Sequence, residues 1–349
     1  MVIQIRFAEP TDQPALVEFI RDHWSSTHVF AERPDVFDWQ YGTGARVNMI
    51  FAADVRDETT TVLGILGFIP MGRFDASLGD RDVLLAIWKV RDDAPPGLGL
   101  RLLKQVERDL SARLVGAIGI SQIVKPLYGL LKYEVGSMVQ SAVIRPDVAE
   151  YRIADGVPTT VSETGAVELD AELSFEVIDE SADTLAAIEA LASSQVPAKS
   201  HRYLVDRYID HPWYRYTLRL VRVSGRPVAV VVWRAVEAEG SRVLRIVDIV
   251  GEVEWLARAQ GHLQALTVEH DAEYIDLVQT GIDDALLDAG GFLTVGRVPD
   301  LILPNYFSPF ERHNVEIEFA YKVTDADTPV RLFRADSDQD RPNRVAELD

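Results

Sequence analysis

The sequence has 349 residues, 47% of them hydrophobic, with 35 Lys and Arg against 55 Asp and Glu and a formal net charge of −20. That length suggests two domains. So anionic a surface repels nucleic acid and acidic lipid, which leaves small molecules as the expected partners, with no nucleic acid and no membrane among them. No cysteine is present, so disulfides, a thiolate nucleophile and Cys-ligated zinc are excluded.

No apolar run reaches membrane-spanning length, and charge near the N-terminus stands where a signal peptide needs apolar residues, so a cytoplasmic location is expected. Residues 2–7 alternate as a strand. Thr11 and Asp12 can cap the helix that follows, with Pro14 in its first turn and Leu16, Phe19, Ile20 and Trp24 on its apolar side. The next stretch, SSTHVFAERPDVFDWQYG, mixes aromatic and polar groups. His28, Asp38, Trp39 and Tyr41 are its candidates for chemistry; a short helix burying Phe37 and Trp39 is the alternative reading.

Strands are expected over 48–55, 61–71 and 82–90. The third runs through a turn at 92–96 into Gly97-Leu98-Gly99, after which Leu98, Leu102, Leu103, Val106 and Leu110 recur at helical spacing. Glycines at a helix start let an anion approach free backbone N–H groups, although a plain strand–helix connection could use the same glycines for geometry. A strand over 115–121, a helix over 122–133 and a strand over 135–144 complete this half.

This order of elements, with a glycine turn after the fourth strand, resembles the GNAT acyltransferase superfamily over about residues 2–146. The resemblance implies an α/β fold with a mixed sheet flanked by helices. It also implies that Val90, Gly97, Leu98, Gly99 and Leu100 hold acetyl-CoA or another acyl-CoA as co-substrate, with the pyrophosphate on backbone N–H groups and no metal. The family's turn is Gln/Arg-x-x-Gly-x-Gly/Ala; Ala94 stands here in the Gln/Arg position. The family's Tyr-x-x-x-Gly-Phe is matched by Tyr128-Gly129-Leu130-Leu131-Lys132-Tyr133, with Lys132 in place of glycine. By resemblance Tyr128 protonates the departing thiolate, a role a phenol suits; a half-buried aromatic is the plainer reading. His28 is the residue type best suited to take a proton near neutral pH, and Asp38 is second. The 28–41 stretch is also similar to GNAT enzymes of surface-polysaccharide clusters, which act on amino sugars.

Residues 147–173 are polar, contain Pro and Gly, and read as a linker. From 174 the element order starts again, so a tandem arrangement is expected: an acyl-CoA-binding domain over 1–146, an acceptor-binding degenerate copy over 174–325, and an acidic tail over 326–349. At the second copy's counterpart of the glycine turn stand Gly251, Glu252 and Glu254, and carboxylates repel phosphate. Arg202, Tyr203, His211 and Tyr214, and later Asn305 and Tyr306 in a Pro-bounded aromatic loop, are the candidates for acceptor binding; packed aromatics and solvated arginines are the alternative. Residues 331–349 of this tail are disordered by composition, yet their DQDRPN run is similar to one in the polysaccharide-cluster group and could fold back over a cleft. No zinc, P-loop or G-x-S-x-G signature appears. The leading expectation is an acyl-CoA-dependent N-acyltransferase acting on an amino sugar that is nucleotide-linked or carrier-linked. A non-catalytic acyl-CoA or sugar-nucleotide sensor and a tRNA-dependent aminoacyl transferase are the rivals. Oligomeric state is not legible.

Overall fold

The computed structural model describes residues 3–56, 59–179, 181–192, 195–324 and 329–348. The chain divides into two compact units, Met1–Val135 with Phe319–Ala326 and Ser337–Asp349, and Gly136–Glu318 with Asp327–Asp336. Among the described residues no helix is long and apolar enough to cross a membrane.

In the first unit β1 (Ile3–Ala8), β2 (Val47–Arg56), β3 (Thr59–Pro70) and β4 (Asp82–Val90) are antiparallel neighbours, and β5 (Leu114–Ile120) adds to β4 in parallel. Beyond β5 the sheet continues with a strand from far along the chain, Glu318–Val323, and then β6 (Glu134–Ser137). Helices α1 (Gln13–His23), α2 (Val29–Glu32), α3 (Pro34–Tyr41), α4 (Leu98–Leu110) and α5 (Lys125–Leu130) flank it. Side chains alternate across a strand, and the core follows that rule. Leu66 and Phe68 of β3 and Val83 and Leu85 of β4 pack with Leu98, Leu102, Leu103 and Val106 of α4. Gly67, between them, turns to the other face, where an added Cβ would lie 2.9 Å from the ring of Tyr41 at the end of α3. So α4 and α3 cover opposite faces. The expected cap at Asp12 is used differently: its carboxylate takes both guanidinium nitrogens of Arg6 at 2.7 Å and the Glu9 N–H, and α1 starts without a side-chain cap bond.

The second unit contains β7 (Val139–Ile144), α6 (Thr160–Thr164), β8 (Leu173–Val177), α7 (Ala182–Ala192), α8 (His201–Leu204), β9 (Thr217–Val223), β10 (Arg226–Ala238), β11 (Ser241–Gly251), α9 (Gln260–Glu269), β12 (Tyr274–Thr280), α10 (Asp284–Ala289) and β13 (Leu293–Thr294). With Glu318–Val323 as β14, the short β15 (Leu332–Phe333) follows. The sheet order is β13-β7-β12-β11-β10-β9-β8, with β15 on β12 and only β11–β12 parallel among its pairs. In both sheets antiparallel strands lead to a parallel pair, β4–β5 in the first and β11–β12 in the second.

Three further expectations differ from what is observed. The single strand over 135–144 is two strands in two sheets, broken at Met138, whose N–H bonds the Ile317 carbonyl instead. The 147–173 stretch is not a free connection: the Glu273 carboxylate accepts the N–H groups of Arg152, Ile153 and Ala154 at 2.8–3.0 Å, and Ile153 and Ala154 are buried. The tail expected to be disordered buries Leu332, Phe333, Arg334, Ala335, Asp336, Ser337, Asp340 and Arg341. Composition misleads here because its charges are compensated. In the second unit the Asp336 carboxylate meets the Lys199 ammonium at 2.7 Å, and that ammonium also meets Asp248, which accepts from the Tyr208 hydroxyl. Burial would lower the Lys199 ammonium, but Asp248 and Asp336 keep it above the ordinary lysine value. Burial, only partly offset by Lys199, pushes the Asp336 carboxyl up to about 6.

Phe333 is fully buried, so Phe333→Ala should lower stability to urea by about 3–5 kcal/mol. A tail without fixed structure would make that substitution silent.

Candidate active site

The parallel pair β4–β5 is in register only from Asp82–Leu114 to Leu85–Ala117, although β4 continues to Val90 and β5 to Ile120. Past Leu85 the strands part. Each has a local cause. β4 carries a bulge opposite Gly67, where its register with β3 shifts between Leu66 and Phe68; bulges bend the strand that holds them. β5 passes through Gly119 at φ +81°, a left-handed conformation that a glycine adopts without strain.

A cavity of about 730 Å³ occupies this fork. It is lined by Leu85, Trp88 and Val90 of β4, by Ile118 to Ile120 of β5, by residues 94–100, and by Leu127 and Tyr128 of α5. The size suits a small-molecule site. One end of it is the start of α4. Gly97 precedes the helix at φ +78° with open space where a Cβ would be, and no side chain caps the end. The Leu98 N–H bonds the Pro95 carbonyl, but those of Gly97, Gly99 and Leu100 have no hydrogen-bond partner among the described residues. These free donors, with the helix dipole behind them, can hold an anion. Gly99 lies against Trp88, whose indole nitrogen would be 3.2 Å from an added Cβ.

Tyr128 enters the cavity from α5. Its backbone explains the Tyr-x-x-x-Lys-Tyr spacing. The Tyr133 N–H bonds the Tyr128 carbonyl at 3.1 Å and the Lys132 N–H bonds the Gly129 carbonyl at 3.0 Å, which is a Schellman ending. Lys132 takes the left-handed position at φ +63°, so the departure from glycine is a local strain rather than a change of shape. The ending stacks Tyr133 edge-on to Tyr128, centroids 5.0 Å apart, while the Tyr133 hydroxyl donates to Glu107 at 2.9 Å. The Tyr128 hydroxyl makes no hydrogen bond among the described residues. Burial, then the Glu107 charge, pushes its phenol well above the ordinary tyrosine range, so it is protonated at neutral pH.

The 28–41 segment lies on the other face. His28 caps α2, its Nδ1 accepting the Phe30 N–H at 3.2 Å. Burial and the positive Arg341 push its imidazole down to about 4, so it is neutral at pH 7 and resists protonation. Asp38 is exposed, Trp39 is half-buried against Phe74, and Tyr41 is fully buried with Phe30 and Phe37. In the first unit the 337–341 segment joins this group, and nothing beyond its DQDRPN run pointed there in the sequence. Arg341 lies over the Phe30 ring at 4.6 Å, and the Asp338 charge bears on Tyr41.

The second-unit candidates are dispersed. Arg202 is exposed and paired with Asp206, whereas Tyr203 is buried. His211 is buried, stacks on Tyr214, and accepts the N–H groups of Trp213 and Tyr214 through Nδ1. Asn305 is buried in a network with Gln140, Arg245 and Arg334; Tyr306 beside it is half-buried. This unit repeats the fork, since β11 and β12 pair only from Leu244–Ile275 to Ile246–Leu277. Here the gap is filled: β15 pairs with β12 at Gln279 and Thr280, and its Leu332 and Phe333 are fully buried. The Gly251 N–H, at the end of β11, is taken by the Gln195 side chain. Among the described residues no group of three or more His, Asp or Glu is placed to hold a metal ion.

No protein-family model matches the sequence, and no curated protein matches it either. Solved structures do. A conserved Enterococcus faecalis protein of unknown function, described as a probable N-acyltransferase, is 11% identical with a TM-score of 0.53 over 93% of this chain and 73% of that one. A GCN5-related N-acetyltransferase from Anabaena variabilis is 12% identical with a TM-score of 0.52 over 93% and 73%. The fold is therefore that of the GNAT proteins. It is an α/β arrangement of two GNAT-like domains, each a mixed sheet flanked by helices.

Two outcomes follow from this geometry. Lys132→Gly should raise stability by about 1 kcal/mol, read by chemical denaturation, because it relieves a left-handed non-glycine residue. His28 titrates at about 4 folded and near 6.5 unfolded. The unfolded state thus binds the proton first, and stability falls as pH drops from about 6.5 toward 4. Between pH 7 and pH 5, His28→Asn, which keeps a capping oxygen, should abolish a stability loss on the order of 1–2 kcal/mol.

Proposed function

We propose that the chain is an acyl-CoA-dependent N-acyltransferase, with acetyl-CoA the favoured donor. The observation that carries this is the open fork between β4 and β5 ending at the uncapped start of α4. Backbone N–H groups of Gly97, Gly99 and Leu100 would hold the pyrophosphate. The pantetheine arm would lie along Trp88 and Val90, and the thioester would sit deep in the fork beside Tyr128. An amine nitrogen then attacks the thioester carbon, the C–S bond breaks, the Tyr128 hydroxyl gives its proton to the sulfur, and the nitrogen sheds one proton, which returns to the phenolate directly or through water. A phenol kept protonated by burial suits that step. Holding both reactants in one cavity would supply much of the rate. His28 fits a helix-capping role better than that of a base, because Nδ1 is engaged and the ring resists a proton.

For the acceptor we propose an amino sugar, nucleotide-linked or carrier-linked. The support is the similarity of the 28–41 segment to enzymes of surface-polysaccharide clusters. The net charge of −20 disfavours charged tRNA.

Isothermal titration with acetyl-CoA, then thiol release over a panel of amino sugars, tests the reading. Tyr128→Phe should reduce turnover by about 10²-fold or more while leaving acetyl-CoA affinity within about twofold. Unchanged turnover removes Tyr128 from the chemistry, and binding without turnover of any amine favours a sensor.

A further inference from the structure

In the first unit the residues at 337–341 straddle the point where the fork begins. The Ser337 hydroxyl donates to the Leu85 carbonyl at 3.3 Å, on β4. The Gln339 amide nitrogen lies 3.5 Å from the Ile118 carbonyl, on β5, and 2.5 Å from where a Cβ on Gly119 would be. Leu85 and Ala117 are the last pair in register, so the two neighbours of Asp338 touch the two limbs of the fork at its vertex. Arg341 then reaches the Phe30 ring, and Asp338 bears electrostatically on Tyr41. The segment therefore joins the fork to the α2–α3 face, opposite the face that α4 covers.

The Asp338 carboxylate is loosely held. Among the described residues its nearest donors are the Ser337 hydroxyl and Gln339 amide at 3.4 Å, and Arg341 at 3.6 Å. Carboxylates fully engaged in this protein, such as Asp12 with Arg6, sit at 2.7 Å. From the N–H groups at residue 97 a donor arm running down β4 from Val90 to Leu85 covers about 17 Å at about 3.4 Å per residue. An acyl end carried that far would reach the vertex, where Ser337 and Gln339 touch the two limbs on either side of Asp338.

We infer that residues 337–341 form the acceptor wall of the acyl-transfer site and that the Asp338 carboxylate binds the incoming primary amine. This rests on the proposed acyl-CoA reading. The carboxylate pairs with the ammonium as it arrives and takes its proton, directly or through water. The neutral nitrogen then attacks the thioester carbon.

The absence of cysteine makes a direct test available. Asp338→Cys, Gln339→Cys and, as an exposed control, Ser162→Cys are each treated with bromoacetyl-CoA. The thiolate displaces bromide, forming a C–S bond as the C–Br bond breaks. Labelling at 338 or 339 is expected at least tenfold faster than at 162 and suppressed by excess coenzyme A. Rates equal to the control at both positions, or insensitive to coenzyme A, overturn the inference. In the amine panel, Asp338→Asn should raise the amine KM at least tenfold with acetyl-CoA affinity unchanged, and an unchanged KM likewise overturns it. Failure of acetyl-CoA to bind the unaltered protein is a different result and removes the donor-site reading itself.

Discussion

The parting of two parallel strands after Leu85 and Ala117 is the constraint on which the first unit is built. Had β4 and β5 stayed paired, their inward carbonyl and N–H groups would satisfy one another and no cavity would open beside the start of α4. The bulge in β4 and the left-handed Gly119 remove that option. What remains is a gap whose far end carries three N–H groups that have no partner among the described residues. Unsatisfied donors at a helix start are tolerated where water or a ligand can reach them, which is why the cavity and the helix end belong together.

The second unit shows what the same fold does when the gap is closed. β11 and β12 part in the same way, yet β15 pairs with β12 and Leu332 and Phe333 fill the space with apolar surface. Burying side chains of this size contributes about 2–3 kcal/mol each. A buried lysine between two aspartates sits beside them, with Tyr208 completing the shell of Asp248. Such a cluster tolerates burial only while every member is present, because removing one strands a charge in a low dielectric. Glu252 and Glu254, which suggested in the sequence that this turn would reject phosphate, are secondary to the simple occupation of the gap.

Much of the first site was legible because its signals are local. The strand at 82–90, the glycine turn and the stripe of α4 follow from periodicity and from two glycines, one of them at positive φ. The Tyr128–Tyr133 spacing followed from family resemblance, and its physical basis, a helix ending with two rings packed edge to face, is local as well. Non-local pairings were not legible. Nothing in residues 135–144 says that the strand breaks at Met138, because the partner that competes for it, Ile317, is far along the chain. Residues 334–341 look disordered because composition registers charge but not the charge opposite it. Asp336 meets Lys199 and Arg334 meets Asn305, each across a separation a window cannot span. His28 was readable as a residue type, but its cap and its cationic neighbour Arg341 were not.

The first sheet contains β14, at 318–323, between β5 and β6. A ribosome delivers residues in order, and domains ordinarily fold as they emerge, N-terminal first. This sheet is incomplete until β14 has been made, so the strands of the opening 135 residues wait, with an unpaired edge at β5, through synthesis of most of the chain. Pairing across such a sequence distance carries a large loop-closure entropy and slows folding. The nascent polypeptide is therefore exposed to edge-to-edge association for longer than two independent domains in series would be.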